Sequence, residues 1–288
     1  MFQGSMVAIV TPFKDGEVDF DTLGKLIEFQ IKNGTDAIVP CGTTGESPTL
    51  SHQEHDRVVQ YVVEKVAGRA WVIAGAGSNS TAEALQLTTH AQKVGADGAL
   101  VITPYYNKPT QRGLIEHFRK IAEETGFPLV LYNVPGRTGV KLNPETIAEL
   151  AAIENIVAVK EACGSVDQVS QILNLCDITV LSGDDMLTLP MMSVGGKGVI
   201  SVAANIVPKE VNQLVHAALE GKWDQARELH FQLYSLFQMM FLETNPIPVK
   251  TSLAMMGKVR EEFRLPLCGL SPGHRVELEE LLERYRLL

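Results

Sequence analysis

Eight short apolar runs, each followed by a stretch of helical periodicity, occupy residues 1–221, and this alternation is what most limits the folds open to the chain. The runs are MVAIVTP (6–12), DAIVP (36–40), WVIAGAG (71–77), GALVITP (98–104), PLVLYNVP (128–135), IVAVKEA (156–162), ITVLSGD (178–184) and GVISVAAN (198–205). They are almost continuously apolar, as strands buried on both faces must be. The intervening helices carry start signals. Ser51 with Glu54, Ser80 with Glu83 and Ser165 with Gln168 have capping-box spacing, and Asn143 precedes Pro144. Gly34, Gly68, Gly95, Gly126 and Gly221 follow helical runs and suit a left-handed stop.

Eight strand–helix units predict an α/β fold, a closed (β/α)8 TIM barrel. An open doubly wound sheet would need a glycine-rich turn after the first strand, where TPFKDGEVD stands instead. After residue 221 the pattern turns wholly helical, over 222–242, 246–257 and 274–286. The expected organisation is a catalytic barrel (1–221) and a C-terminal helical extension packed on it (222–288).

Composition narrows the function classes. The net charge is −9 over 288 residues, which disfavours a nucleic-acid partner, because phosphate backbones demand clustered Lys and Arg. No window approaches the ~20 apolar residues of a membrane helix, and no basic leader opens the chain. A cytoplasmic location with four free thiols, Cys41, Cys163, Cys176 and Cys268, is expected. No zinc spacing is present, so no metal is expected.

A barrel of this kind places its chemistry where strands end. The sharpest signal there is Lys160, which interrupts IVAVKEA and shares a strand face with Ala158 and Ala162. A buried amine loses solvation, its pKa falls, and it becomes a nucleophile toward a carbonyl. The same residue would also suit a lysine that snorkels out or pairs with a carboxylate. Tyr132, with Thr43 and Tyr106, offers hydroxyls for a proton relay, or else packs the barrel and shapes a turn. Arg137 offers a guanidinium for a carboxylate, or else a surface ion pair. Asp184 and Asp185 stand where phosphate-binding barrels place amide donors, which predicts an unphosphorylated substrate. Gly75-Ala76-Gly77 is a lone GxG of little weight.

Taken in order, GTTGES, TPYYNKPTQ, LYNVPGRTG, VKEACG, LSGDD, GVISVAAN and NPIPVK resemble the dihydrodipicolinate synthase family over essentially the whole chain. The resemblance implies a Schiff base between Lys160 and pyruvate, followed by condensation with L-aspartate-4-semialdehyde to give 4-hydroxy-tetrahydrodipicolinate. This is the committed step toward lysine and diaminopimelate, and no cofactor is implied. By the same resemblance Lys160, Tyr132 and Thr43 are catalytic. Tyr106 completes the relay from a neighbouring subunit, in a homotetramer built as a dimer of dimers. Thr44, Arg137, Gly183 and Ile200 are the implied substrate contacts. Ser47, His52, His55, Asn79, Glu83 and Tyr105 match a site for L-lysine as feedback inhibitor.

Two positions depart from the family's commonest pattern: Pro48, beside the lysine site, and Cys163, three residues after Lys160. The nearest rival readings are an N-acetylneuraminate lyase or 2-keto-3-deoxy-sugar-acid aldolase on the same scaffold. A more distant one is a keto-acid or lysine sensor that turns nothing over.

Overall fold

The computed structural model describes residues 2–288. Eight parallel strands close into a barrel: β1 (Gly4–Ala8), β2 (Ala37–Val39), β3 (Trp71–Gly75), β4 (Gly98–Ile102), β5 (Leu129–Asn133), β6 (Ile156–Glu161), β7 (Thr179–Ser182) and β8 (Gly198–Ser201). Each expected run coincides with one strand, trimmed where its last residues turn into the following loop, except that β1 begins at Gly4, two residues ahead of its run. Consecutive strands pair, and β8 closes on β1 with Met6 opposite Ile200. The main flanking helices are α1 (Phe20–Lys32), α2 (His52–Val66), α3 (Thr81–Lys93), α4 (Gln111–Thr125), α5 (Pro144–Ala151), α6 (Val166–Leu175), α7 (Thr188–Ser193) and α8 (Pro208–Leu219). Beyond them α9 (Trp223–Met239), α10 (Ile247–Met255) and α11 (Pro272–Arg284) form the helical tail.

The alternation of side chains along each strand divides the core in two. Met6, Ile73, Leu100, Val130, Ala158 and Leu181 fill the barrel interior. Val7, Ile38, Val101, Leu131 and Val159 face the helices. All five glycines expected to stop helices have positive φ, from 59° at Gly126 to 88° at Gly95.

The expected capping boxes fare differently. Ser51 and Glu54 form one in full, each side chain bonded to the other's backbone N–H. Ser165 accepts from the Gln168 amide, but the Gln168 side chain turns away to Glu161. Ser80 makes no side-chain cap, because Glu83 is bonded to Ser78 and His52 instead. In both departures a tertiary partner outcompetes the local one.

The segment TPFKDGEVD also holds more than a plain loop. Asp15 and Gly16, at φ 56° and 86°, turn a two-strand hairpin, Phe13–Lys14 against Glu17–Val18. Among the described residues no helix is long and apolar enough to cross a membrane.

Candidate active site

Lys160 points into the barrel from the C-terminal half of β6, opposite Tyr132 on β5 and Leu181 on β7. It is 5% exposed and makes no ion pair among the described residues. Burial pulls its pKa down from the ordinary lysine range to about 8; the charge of Asp185 opposes the shift and that of Arg137 adds to it. The side chain therefore neither snorkels to solvent nor pairs with a carboxylate, and a dry, readily deprotonated amine remains. The expected small neighbours leave the room it needs. Ala158 and Ala162 share its face, and a Cβ added to Gly183 would stand 2.9 Å from the Lys160 Cε and 2.7 Å from the Ala162 Cβ.

Tyr132 is buried beside the amine, with its ring centre 4.4 Å from the Lys160 Nζ. Burial raises the pKa of the phenol, while the Arg137 charge and a polar contact with Thr43 pull it back. Thr43 and Thr44 sit on the turn between β2 and α2. Gly42 accepts there from the Gly45 amide at 3.1 Å and the Ser47 amide at 3.3 Å. The turn packs closely on β3, since a Cβ on Gly75 would meet the Cys41 carbonyl oxygen at 2.1 Å. Gly75 and Gly77 are thus packing glycines.

Arg137 lies on the single helical turn Pro135–Thr138 at the barrel mouth. Its guanidinium donates to the Asn245 carbonyl at 3.2 Å, and the Asn245 Nδ2 donates to the Thr44 Oγ1 at 3.0 Å. Asn245, ahead of α10, thereby joins the two expected carboxylate contacts. Its Oδ1 is buried without a protein partner. Only its place in the NPIPVK block signals this in the sequence. Ile200 faces the barrel interior from β8.

The acidic pair after β7 takes an unexpected position. Asp184 caps the short 3-10 turn Asp185–Leu187. Asp185 is buried and accepts from the Val202 and Ala203 amides, both at 3.0 Å, and from the Ser201 Oγ at 2.5 Å. The donors after β8 that a phosphate would need are taken by an internal carboxylate. That is a stronger reason for an unphosphorylated substrate than repulsion alone. Glu161, next to Lys160 but facing outward, is held by Asn133 and Gln168 side-chain amides. Cys163, half-buried near that carboxylate, has its thiol pushed up to about 12 by burial, so it stays protonated.

A cavity of about 420 Å³ runs from Thr43, Tyr132 and Arg137 to Ser47, His52, His55, Glu83 and Tyr105. Five of the six expected inhibitor contacts therefore line the space that also opens on the proton-relay hydroxyls. Asn79 stands apart, its carbonyl accepting from Asn107 at 2.8 Å. His52 Nε2 is 2.6 Å from Glu83. His55 is buried against the Gly75 carbonyl at 2.8 Å, and burial lowers its pKa, keeping it neutral. Tyr106 is 89% exposed with φ 71° and is not brought to its own chain's Tyr132 or Thr43. Among the described residues no three His, Cys, Asp or Glu side chains cluster as a metal site.

Comparison with known proteins agrees with this geometry. The profile of the dihydrodipicolinate synthetase family matches residues 1–285. The chain is 58% identical to the 4-hydroxy-tetrahydrodipicolinate synthase of Geotalea uraniireducens, covering 100% of both. It superposes on the crystal structure of the Aquifex aeolicus dihydrodipicolinate synthase with a TM-score of 0.98 at 56% identity over 99% of each chain. The lysine-bound enzyme of Cyanidioschyzon merolae is similar at TM-score 0.97 and 41% identity, over 100% of this chain and 99% of that one. With the barrel, the buried amine and full-length likeness in agreement, the chain belongs to the dihydrodipicolinate synthetase family.

Proposed function

We propose that Lys160 is the Schiff-base residue of a lyase that condenses pyruvate with L-aspartate-4-semialdehyde to 4-hydroxy-tetrahydrodipicolinate. The observation that carries the assignment is the buried amine with a pKa near 8 beside a buried phenol. The neutral Lys160 amine adds to C2 of pyruvate. Tyr132 delivers the proton that lets the C2 hydroxyl leave as water, giving an iminium. Loss of a methyl proton, passed back through Tyr132 and Thr43, gives the enamine, which attacks the aldehyde carbon. The product's amino group then displaces Lys160 and closes the ring. Thr44 and its turn receive the pyruvate carboxylate, and Arg137 meets the carboxylate of the second substrate. Gly183 and the Ile200 backbone wall the site.

The test is turnover of both substrates, read through a reductase that consumes the product, with Lys160→Ala as control. Activity lost in the variant, together with borohydride trapping of pyruvate on Lys160 in the parent, supports the assignment. Trapping without turnover of the semialdehyde would favour a sugar-acid lyase.

Three further readings belong with this one. L-lysine is the proposed inhibitor, bound where Ser47, His52, His55, Glu83 and Tyr105 line the cavity, with Asn79 at its edge; the lysine-bound relative supports it. A homotetramer is the proposed assembly. Exposed Tyr105 and Tyr106 on one face, and exposed Val194, Trp223 and Phe231 on another, are the apolar surfaces that support it. The four free cysteines suit a reducing cytoplasm. The division at residue 221, where Gly221 breaks the chain between α8 and α9, treats the tail as an extension of the barrel.

A further inference from the structure

Two charged residues of the sequence motifs take no part in the relay or the substrate contacts: Glu46 of GTTGES and Lys250 of NPIPVK. Both side chains are fully buried, with the Lys250 Nζ 2.5 Å from the Glu46 Oε1. The ammonium also lies 4.0 Å from the centre of the Phe13 ring and 5.3 Å from that of Phe263. Drying an ion pair so completely costs about what its attraction returns, and an apolar pair of equal volume would stabilise the fold as well or better. Stability is therefore a poor reason for this pair.

Its position supplies a better one. Glu46 ends the turn that Cys41 begins, and both have left-handed backbone, at φ 54° and 55°. Non-glycine residues stay in that region only where their surroundings hold them. Thr43 and Thr44 lie between the two. Thr11 anchors the turn on one side through the Gly45 carbonyl, at 2.7 Å. The other anchors come from the C-terminal tail. Asn245 holds the Thr44 hydroxyl, Lys250 holds Glu46, and Arg264 holds the Thr49 carbonyl at 2.9 Å and Glu54 at 3.0 Å.

We propose that Lys250 is a positioning residue, which through Glu46 locks the Thr43–Thr44 turn in the geometry that receives the pyruvate carboxylate. This rests on the assignment of the pyruvate carboxylate to that turn. The helical tail then acts on the reaction from behind the turn, without touching substrate.

The deciding variant is the double replacement Glu46→Gln with Lys250→Met, which removes the tether and leaves no buried charge. Its melting temperature is expected to stay near the parent's, while KM for pyruvate rises about tenfold or more and kcat falls. Glu46→Asp is the second variant, should the first not fold. It keeps both charges and shortens the tether by one methylene, and about the same loss of pyruvate affinity is expected. Parent-like kinetics in either folded variant overturn the proposal, because that is what a purely structural pair predicts. Thr44→Val separates the two assignments. A raised KM there, beside unchanged kinetics in the pair variants, sinks the clamp and leaves the carboxylate site standing. An unchanged KM there, beside raised KM in the pair variants, sinks the role of Thr44 and upholds the clamp on the turn.

Discussion

The Lys160 Nζ rests 4.4 Å from the centre of the Tyr132 ring, and the two residues are register partners across β5 and β6. The ring face favours the ammonium, yet burial prevails and the amine's pKa falls to about 8. Only the neutral amine attacks a carbonyl. At pH 8 roughly half of Lys160 is neutral, against roughly 0.3% for an ordinary lysine. The expected kcat/KM for pyruvate therefore rises with pH and levels off above about 8. The pH profile of initial rates checks this, and an acid limb centred near 10 would contradict it.

In the proposed mechanism Tyr132 and Thr43 act on protons, whereas Lys160 makes the bond. Tyr132→Phe keeps the packing of the buried ring and removes the acid. We expect kcat to fall by roughly 10²-fold or more, with a smaller fall for Thr43→Val. Borohydride should still trap some pyruvate on Lys160 in Tyr132→Phe, more slowly than in the parent. Trapping at the parent rate would place the proton donor elsewhere.

The eight strands were legible because burial on both faces leaves a continuous apolar run that no loop shares. Lys160 was legible because it breaks one of those runs. What the sequence hid are residues whose partners lie outside their own helix or turn. Glu83 and Gln168 have capping-box spacing, but each finds a tertiary partner, His52 and Ser78 for one and Glu161 for the other. Asp185 reads as a carboxylate that repels phosphate from the barrel mouth and instead fills the amides after β8. Glu46 and Lys250 are 204 residues apart, and nothing local marks them as a pair. Tyr106 is the converse case. Its place in the motif was legible, but in this chain it lies exposed, away from the other hydroxyls of the proposed relay.

His117 supplies a test of acid stability. It is buried on α4, with Nδ1 2.9 Å from the Thr81 hydroxyl and Nε2 unpaired, and burial lowers its pKa to about 4. The unfolded chain binds this proton near the ordinary histidine value of 6.5, so the fold is favoured above that pH and loses this contribution as pH falls toward 4. The full effect is about 3 kcal/mol. Urea unfolding between pH 7 and pH 4 should show the loss, and His117→Leu should flatten the slope. An equally steep slope in the variant would assign it to other groups, His55 and His230 first, since burial lowers both.

Tyr106 projects into solvent from a strained backbone, which suits a side chain held by another subunit. Tyr106→Phe and Lys160→Ala should each be nearly inactive alone. Mixed and reassembled, they should regain activity, because one subunit of a hybrid pair then carries an intact Lys160 facing a neighbour's intact Tyr106. A mixture no more active than its parts would confine the relay to one chain.

Inhibition by lysine tests the far end of the cavity. Hydrogen bonds from Ser78 and His52 hold the Glu83 pKa below the ordinary range, so its carboxylate is charged at neutral pH and suited to an ammonium. His52 already bonds to that carboxylate, so an incoming ammonium must share it or displace the imidazole. Losing one charge-assisted bond weakens binding by roughly 10- to 100-fold, so Glu83→Gln should raise the lysine concentration for half-inhibition by about that factor. Pro48 lines the same cavity, and Pro48→Ala should shift half-inhibition without abolishing it. Steady-state rates against lysine concentration measure both. If Glu83→Gln leaves half-inhibition where it was, the inhibitor's ammonium binds elsewhere and the cavity serves only the substrates.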